Sequence, residues 1–291
     1  MNLDQWRQQA RPMDFRGHRV MVYEGGPADA PALVMIHGFP TAAWDWHRVW
    51  HRLGHRYRLI APDLLGFGFS AKPPDFPYSC RMQADLCEAT LARRQIESFH
   101  VLAHDYGDTV AQELLARRVE GGPGRGLRSL CLLNGGVFPE CHRARPIQQA
   151  LAGPMGPLIA RLMGRKQVMR SLARVFGPDS QPGKVETEIL WALIDANDGR
   201  KVIPRLLGYI RERQENRDRW VSALLESPVP LMFINGLVDP VSGEHMARRW
   251  AELLPSAPLV AIEGIGHYPQ LESPGEVLDA CLPFFAAAES P

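Results

Sequence analysis

Short runs rich in β-branched and aliphatic residues alternate along this chain with longer stretches of helical spacing, and that alternation leaves few architectures open. The runs are Arg19 to Tyr23, Ala32 to His37, Tyr57 to Ala61, Phe99 to Ala103, Leu127 to Leu133, Leu231 to Asn235 and Leu259 to Ile262. Helical spacing covers Ala43 to Leu53, Met82 to Glu97, Tyr106 to Arg118, Glu244 to Leu254 and Glu276 to Ala287. A strand that returns parallel to its predecessor needs a crossover of roughly a dozen residues or more, usually a helix. The pattern therefore predicts an α/β chain with a doubly wound, mostly parallel sheet.

From about 138 to 227 the rhythm stops: Leu, Met and Arg recur at helical spacing, Gly and Pro punctuate, and no further buried strand stands out. The expected organisation is a core domain built from 1–137 and 228–291, interrupted by a helical lid at 138–227. An insert of that length is not expected to be structureless in a compact domain. It should fold over the carboxyl ends of the strands, where such sheets bind ligands. A helical arm for self-association is the alternative use of the segment, and the sequence leaves a homodimer open.

The 33 basic and 32 acidic side chains give a formal charge of +1, so no overall field favours nucleic acid or an anionic membrane. Cys80, Cys87, Cys131, Cys141 and Cys281 are odd in number and have neither metal-ligand nor disulfide-framework spacing, which fits reduced thiols. The first residues lack an apolar signal core, and no window reaches the roughly 18 apolar residues of a membrane span. A cytoplasmic protein acting on a small apolar molecule and water, with no cofactor or metal, is expected.

The run ending at Ala103 leads through His104-Asp105-Tyr106-Gly107 into the helical pattern from Thr109. This is the strand, sharp turn and helix of a nucleophile elbow, which needs small residues two before and two after the nucleophile; Ala103 and Gly107 stand there. The residue at the tip is Asp105, and no Gly-x-Ser-x-Gly occurs in the chain. A carboxylate attacking an ester would give a reactive anhydride, whereas attack on an sp³ carbon with a leaving group gives an ordinary ester that water can hydrolyse. Asp105 thus points to displacement at carbon, although an Asp before a helix is also a common cap.

After the last β-rich run, Gly264-Ile265-Gly266-His267-Tyr268-Pro269 presents a histidine able to take a proton from water near neutral pH, provided a carboxylate holds its tautomer. Asp239, in Gly236-Leu237-Val238-Asp239-Pro240, supplies that carboxylate and preserves the order nucleophile, acid, base. Asp63 is the rival, but it precedes Asp105. The turn His37-Gly38-Phe39-Pro40 can aim the Phe39 N–H at the point served by the Tyr106 N–H, making an oxyanion hole. Side chains expected around the substrate are His37, Pro40, Trp44, Phe138, His142 and Tyr209; His37 also suits a turn-fixing hydrogen bond.

His37-Gly38-Phe39-Pro40, His104-Asp105-Tyr106-Gly107 and Gly266-His267-Tyr268-Pro269-Gln270-Leu271-Glu272-Ser273-Pro274 resemble the epoxide hydrolase and haloalkane dehalogenase branch of the α/β-hydrolase superfamily. Leu65-Gly66-Phe67-Gly68-Phe69-Ser70, Asn134-Gly135-Gly136-Val137-Phe138-Pro139-Glu140 and, in the lid, Asn197-Asp198-Gly199 and Arg219-Trp220-Val221 are similar to the mesoderm-specific transcript subfamily within it. The resemblance runs from Val34 to Phe284 and implies the α/β-hydrolase fold with a cap.

It also implies chemistry. Haloalkane dehalogenases hold the halide with Trp or Asn N–H groups; the corresponding positions here are Tyr106 and Phe39. Fluoroacetate-type relatives carry Arg after the nucleophile, which this chain lacks. Epoxide hydrolases use two lid tyrosines to protonate the opening oxygen; Tyr209 resembles the second, and no tyrosine stands where the first should be, so either another donor such as His142 replaces it or the substrate is not an epoxide. Epoxide hydrolysis through an alkyl ester on Asp105 is the leading expectation. Dehalogenation, or ligand binding without turnover on the same fold, is the alternative.

Overall fold

The computed structural model describes residues 1–289. Among these residues eight strands form one sheet: β1 (Ala10–Phe15), β2 (His18–Gly25), β3 (Ala32–Ile36), β4 (Arg58–Pro62), β5 (Phe99–His104), β6 (Leu127–Leu133), β7 (Leu231–Gly236) and β8 (Leu259–Ile262). Their order is β1-β2-β4-β3-β5-β6-β7-β8. The pairs β1–β2 and β2–β4 are antiparallel and the rest are parallel. Strands β3, β5 and β7 are buried at every residue and β6 at every residue but Arg128, as expected where helices cover both faces of a parallel sheet.

The helices are α1 (Leu3–Gln8), α2 (Trp50–Gly54), α3 (Cys80–Arg93), α4 (Tyr106–Val119), α5 (Pro146–Ala152), α6 (Gly156–Leu162), α7 (Arg165–Ala173), α8 (Lys184–Asp195), α9 (Ile203–Leu206), α10 (Tyr209–Glu215), α11 (Arg217–Leu225), α12 (Glu244–Leu253), α13 (Pro269–Glu272) and α14 (Pro274–Glu289). Among the described residues no strand lies between β6 and β7, where α5 to α11 occupy the helical segment 138–227. No helix among them is long and apolar enough to cross a membrane. The five cysteines are unbonded.

Three departures from the sequence reading have local causes. Strand β1 carries Pro12 and only two buried side chains; it exists because a turn at Arg16 and Gly17 folds it back onto β2 as an edge strand, a position that tolerates proline. The helix expected over Ala43 to Leu53 is broken into a 3₁₀ turn, Ala43–Trp46, and α2. Both the amide and the ring Nδ1–H of His47 donate to the Trp44 carbonyl, at 2.9 and 3.0 Å, taking the acceptor that a continuing α-helix would use. Helix α3 starts where the Ser79 hydroxyl caps the Met82 N–H at 3.1 Å, and stops before Gln95, which has φ +54°.

The parallel strands all end on one side. Phe39 follows β3, Asp63 follows β4, Asp105 follows β5, Asn134 follows β6, Asp239 follows β7 and His267 follows β8. Residues more than a hundred positions apart converge there.

Candidate active site

Asp105 sits between β5 and α4 with φ 49° and ψ −102°, a conformation that costs a non-glycine residue of order 1–3 kcal/mol and persists only where the surroundings impose it. They do: the Asp105 N–H donates to the Leu133 carbonyl at 3.1 Å, and its own carbonyl accepts from Asp108 N–H at 3.2 Å. A Cβ on Gly107 would collide with the Ile36 carbonyl, so the elbow closes against β3 only with glycine there.

The Asp105 side chain is 3% exposed. Its Oδ2 accepts from the Phe39 N–H at 3.1 Å and lies 3.8 Å from His267 Nε2. Burial by itself would raise the Asp105 pKa; the nearby imidazole of His267 and the charges of Arg213 and His104 outweigh it and hold the carboxyl well below the usual range. Tyr106 opens α4, with its ring packed against Phe67 and Tyr209 at 5.3 and 5.1 Å.

His267 Nδ1–H donates to Asp239 Oδ2 at 2.7 Å. The ring thus lies between two carboxylates. Burial lowers its pKa, but the charge of Asp239 and the nearby carboxylate of Asp105 raise it more, to about 10. The His267 N–H donates to the Val175 carbonyl of the helical segment at 2.8 Å, and the His104 Nε2–H donates to the His267 carbonyl at 2.7 Å. A Cβ on Gly266 would strike the Val175 carbonyl, so this approach also needs glycine.

Asp239 is tied down from several sides. Oδ1 accepts from Val241 N–H at 2.8 Å; Oδ2 accepts from Ser242 N–H, Ser242 Oγ–H and Asn134 Nδ2–H at 3.2, 2.8 and 3.1 Å, besides His267. Burial pushes its pKa up, and His267 with these donors brings the net shift below the ordinary value. Asp63 faces elsewhere: its carboxylate accepts from Ala43, Phe69 and the Tyr23 hydroxyl at 2.9, 2.8 and 3.3 Å.

A cavity of about 90 Å³ opens beside Asp105 and His267. The core contributes Phe39, Pro40, Val241 and Tyr268 to its wall. The helical segment contributes Ile147, Leu151, Ala160, Met163, Val168, Leu172, Val175 and Ile203, with Arg145, Gln148, Ser171 and Arg200 as its polar members.

Of the six side chains expected around the substrate, Pro40 is in that wall, and the other five are placed outside it. The His37 ring is turned inward, Nδ1–H donating to Gly38 O at 2.9 Å and Nε2 accepting from Leu64 N–H at 3.0 Å. Burial drops its pKa to about 4 and keeps it neutral. Trp44 stacks on His47 at 3.8 Å. Phe138 is buried against Trp250. His142 packs at Gly136 beside Arg213. Tyr209 is buried, with the Arg213 guanidinium 4.5 Å above its ring and Phe39 6.1 Å away.

Two residues that sequence reasoning missed belong to the site. Arg213, on α10 and 1% exposed, donates from Nη2 to the Asp105 carbonyl at 2.8 Å and from Nε to Thr109 Oγ1 at 2.6 Å, with Nη2 3.6 Å from Asp105 Oδ1. Nothing distinguishes it in sequence among the arginines of 138–227. Asn134, at φ +44°, donates to the Gly236 carbonyl and accepts from the Gly236 N–H at 3.1 and 2.7 Å, joining the ends of β6 and β7. An Asn before two glycines at a strand end was a visible turn signal.

Comparison with known proteins gives a consistent placement. The family model described as "Alpha/beta hydrolase family" matches residues 33–280. The chain is 40% identical to the mesoderm-specific transcript homolog protein of Homo sapiens over 292 aligned residues, covering 97% of this chain and 87% of that one. It is 29% identical to epoxide hydrolase A of Mycobacterium tuberculosis over 318 aligned residues, covering 96% and 98%. The solved structure of haloalkane dehalogenase DbeA from Bradyrhizobium elkani USDA94 superposes with a TM-score of 0.79 at 23% identity, over 96% of this chain and 98% of that one.

Proposed function

Given that the chain belongs to the alpha/beta hydrolase family, we propose that it is a hydrolase which forms an alkyl ester on Asp105 with a small electrophilic substrate, foremost an epoxide opened to a diol. The observation that carries this reading is the carboxylate at the elbow, bonded to the Phe39 N–H and facing an imidazole that a second carboxylate holds. The 29% identity to an epoxide hydrolase over nearly the whole chain supports the choice of substrate class.

In this mechanism Asp105 Oδ1 attacks the epoxide carbon as the carbon–oxygen bond breaks. Oδ2 becomes the ester carbonyl oxygen and keeps the Phe39 N–H as its donor, with Tyr106 N–H as the second member of the oxyanion hole. At rest both carboxylates favour a protonated His267. Esterification removes the Asp105 charge, so the imidazole pKa falls towards neutrality, and the proton it sheds balances the one gained by the departing oxygen. Neutral His267 then takes a proton from water, the hydroxide attacks the ester carbonyl carbon, and the diol leaves as the Asp105 carboxylate is restored. Segment 138–227 acts as the lid that keeps bulk water out.

The two half-reactions need different residues, so His267→Gln should separate them. Incubated with propylene oxide, that variant should retain one substrate-sized mass adduct on the peptide containing Asp105. In wild type under single turnover, isotopically labelled water should place its oxygen in the Asp105 carboxylate before it appears in product. No adduct, with label entering product directly, would mean that water attacks the substrate itself. Halide release from a small haloalkane with no diol from any epoxide would assign dehalogenation instead.

A further inference from the structure

The cavity wall contains one set of donors that the mechanism above leaves unused. Arg145, immediately before α5, with Gln148 on α5 and Ser171 on α7, lines the same cavity as Asp105 and His267. Arg145 Nη1–H donates to the Ser171 carbonyl and reaches its Oγ at 3.4 Å. Among the described residues nothing accepts from Nε or Nη2. That edge of a guanidinium carries two parallel N–H bonds and matches the two oxygens of a carboxylate.

Arg145 also has no ion-pair partner among the described residues. The other guanidinium in the wall, Arg200, is already engaged, with Asp195 Oδ1 at 2.6 Å and the Met163 carbonyl at 3.1 Å. Burial lowers the pKa of Arg145, and the neighbouring charge of Arg174 lowers it further, with only Asp239 opposing. A half-buried cation set beside another cation is relieved when an anion arrives. Gln148 Oε1 accepts from the Arg145 N–H at 2.9 Å, which leaves its amide NH₂ free to donate. Most of the rest of the wall is apolar, Ile147, Leu151, Met163, Val168 and Leu172 among it. Among the described residues the one carboxylate in the wall is Asp105.

We propose that Arg145, with Gln148 and Ser171, binds a carboxylate carried by the substrate, so that the molecule opened on Asp105 is a short apolar acid with its electrophilic carbon elsewhere on the chain. The location of the electrophile rests on the reading of Asp105; the anion site does not. The volume of about 90 Å³ confines the acid to a short chain.

Butyrate and butyramide, equal in shape and differing in charge, test this by calorimetric titration at neutral pH. Wild type should bind butyrate about tenfold more tightly than butyramide, the scale of one charge-assisted contact. Arg145→Met should erase that preference, and Arg145→Gln, which stays polar, should erase it too if the Met variant does not fold. Equal binding of the two probes to wild type, or an unchanged preference in either folded variant, overturns the proposal. The covalent reading is judged separately, on the His267→Gln adduct with propylene oxide, a probe without a carboxylate. An adduct without a butyrate preference sinks only the anion site, whereas the preference without an adduct sinks only the nucleophile.

Discussion

The two sides of the cavity hold their polar atoms in opposite ways. On the core side, Asp239 accepts from five donors, Asn134 locks two strand ends together, and Asp105 is gripped at its amide, carbonyl and carboxylate. On the helical side the cavity wall is mostly apolar, while elsewhere the segment is clasped to the core at many points, the Arg213 bond to the Asp105 carbonyl among them. Lys72 Nζ–H donates to the Ala196 carbonyl at 2.7 Å, Gly177 N–H donates to Glu272 Oε2 at 2.7 Å, and Trp220 Nε1–H donates to Glu113 at 2.8 Å, beside Arg219. Saturated networks resist displacement because every lost partner leaves a buried polar atom unpaired. An apolar wall tolerates exchange of one side chain for another of similar volume. The core side therefore suits fixed chemistry, and the helical side suits selectivity.

That division can be broken by experiment. The largest effect belongs to Asp105→Ala, which should lower turnover of a verified substrate by at least about 10⁴-fold while the circular dichroism spectrum stays native. Retention of a substantial fraction of the rate would take the nucleophile away from the core side. Gly266→Ala attacks the seam itself, since the added methyl strikes the Val175 carbonyl. It should cost roughly 1–3 kcal/mol in urea unfolding and about 10²-fold in rate through displacement of His267. A neutral outcome would mean that the helical segment yields at no cost.

A smaller effect concerns pH. His267 has a pKa of about 10 in the folded protein against an ordinary 6.5, so between those values the native state binds the extra proton. Its contribution to stability is fully present below 6.5 and is lost as pH rises towards 10. Urea midpoints should fall across that window in wild type and lose this component of the slope in His267→Gln. The smallest effect is expected from Tyr209→Phe. The ring is packed under Arg213 and is absent from the cavity wall, so epoxide turnover should change by only a few-fold. A loss of roughly 10²-fold would make its hydroxyl the general acid and would give the helical side a share in the chemistry.

What was legible in the sequence was what depends on neighbours along the chain. The alternation of runs and crossovers anticipates the seven strands from β2 to β8, and the central ones stand out because a strand buried on both faces reads as a nearly continuous apolar run. Ala103, Asp105 and Gly107 read as an elbow because its crowding is imposed by residues two apart. Asp239 and His267 each stand just past a strand end, and once a parallel sheet is assumed all such ends face one way. Tertiary structure alone decided the rest. Strand β1 exists only by pairing with β2, for its own residues have no strong preference. Arg213 reaches Asp105 from 108 positions away, and Arg145, rather than Tyr209, His142 or Phe138, faces the cavity because of how the helices of 138–227 are rotated against the core. Helical spacing tells that a helix has an apolar face, but which atoms that face meets is set by packing between segments distant in the chain, and no local pattern of residues encodes it.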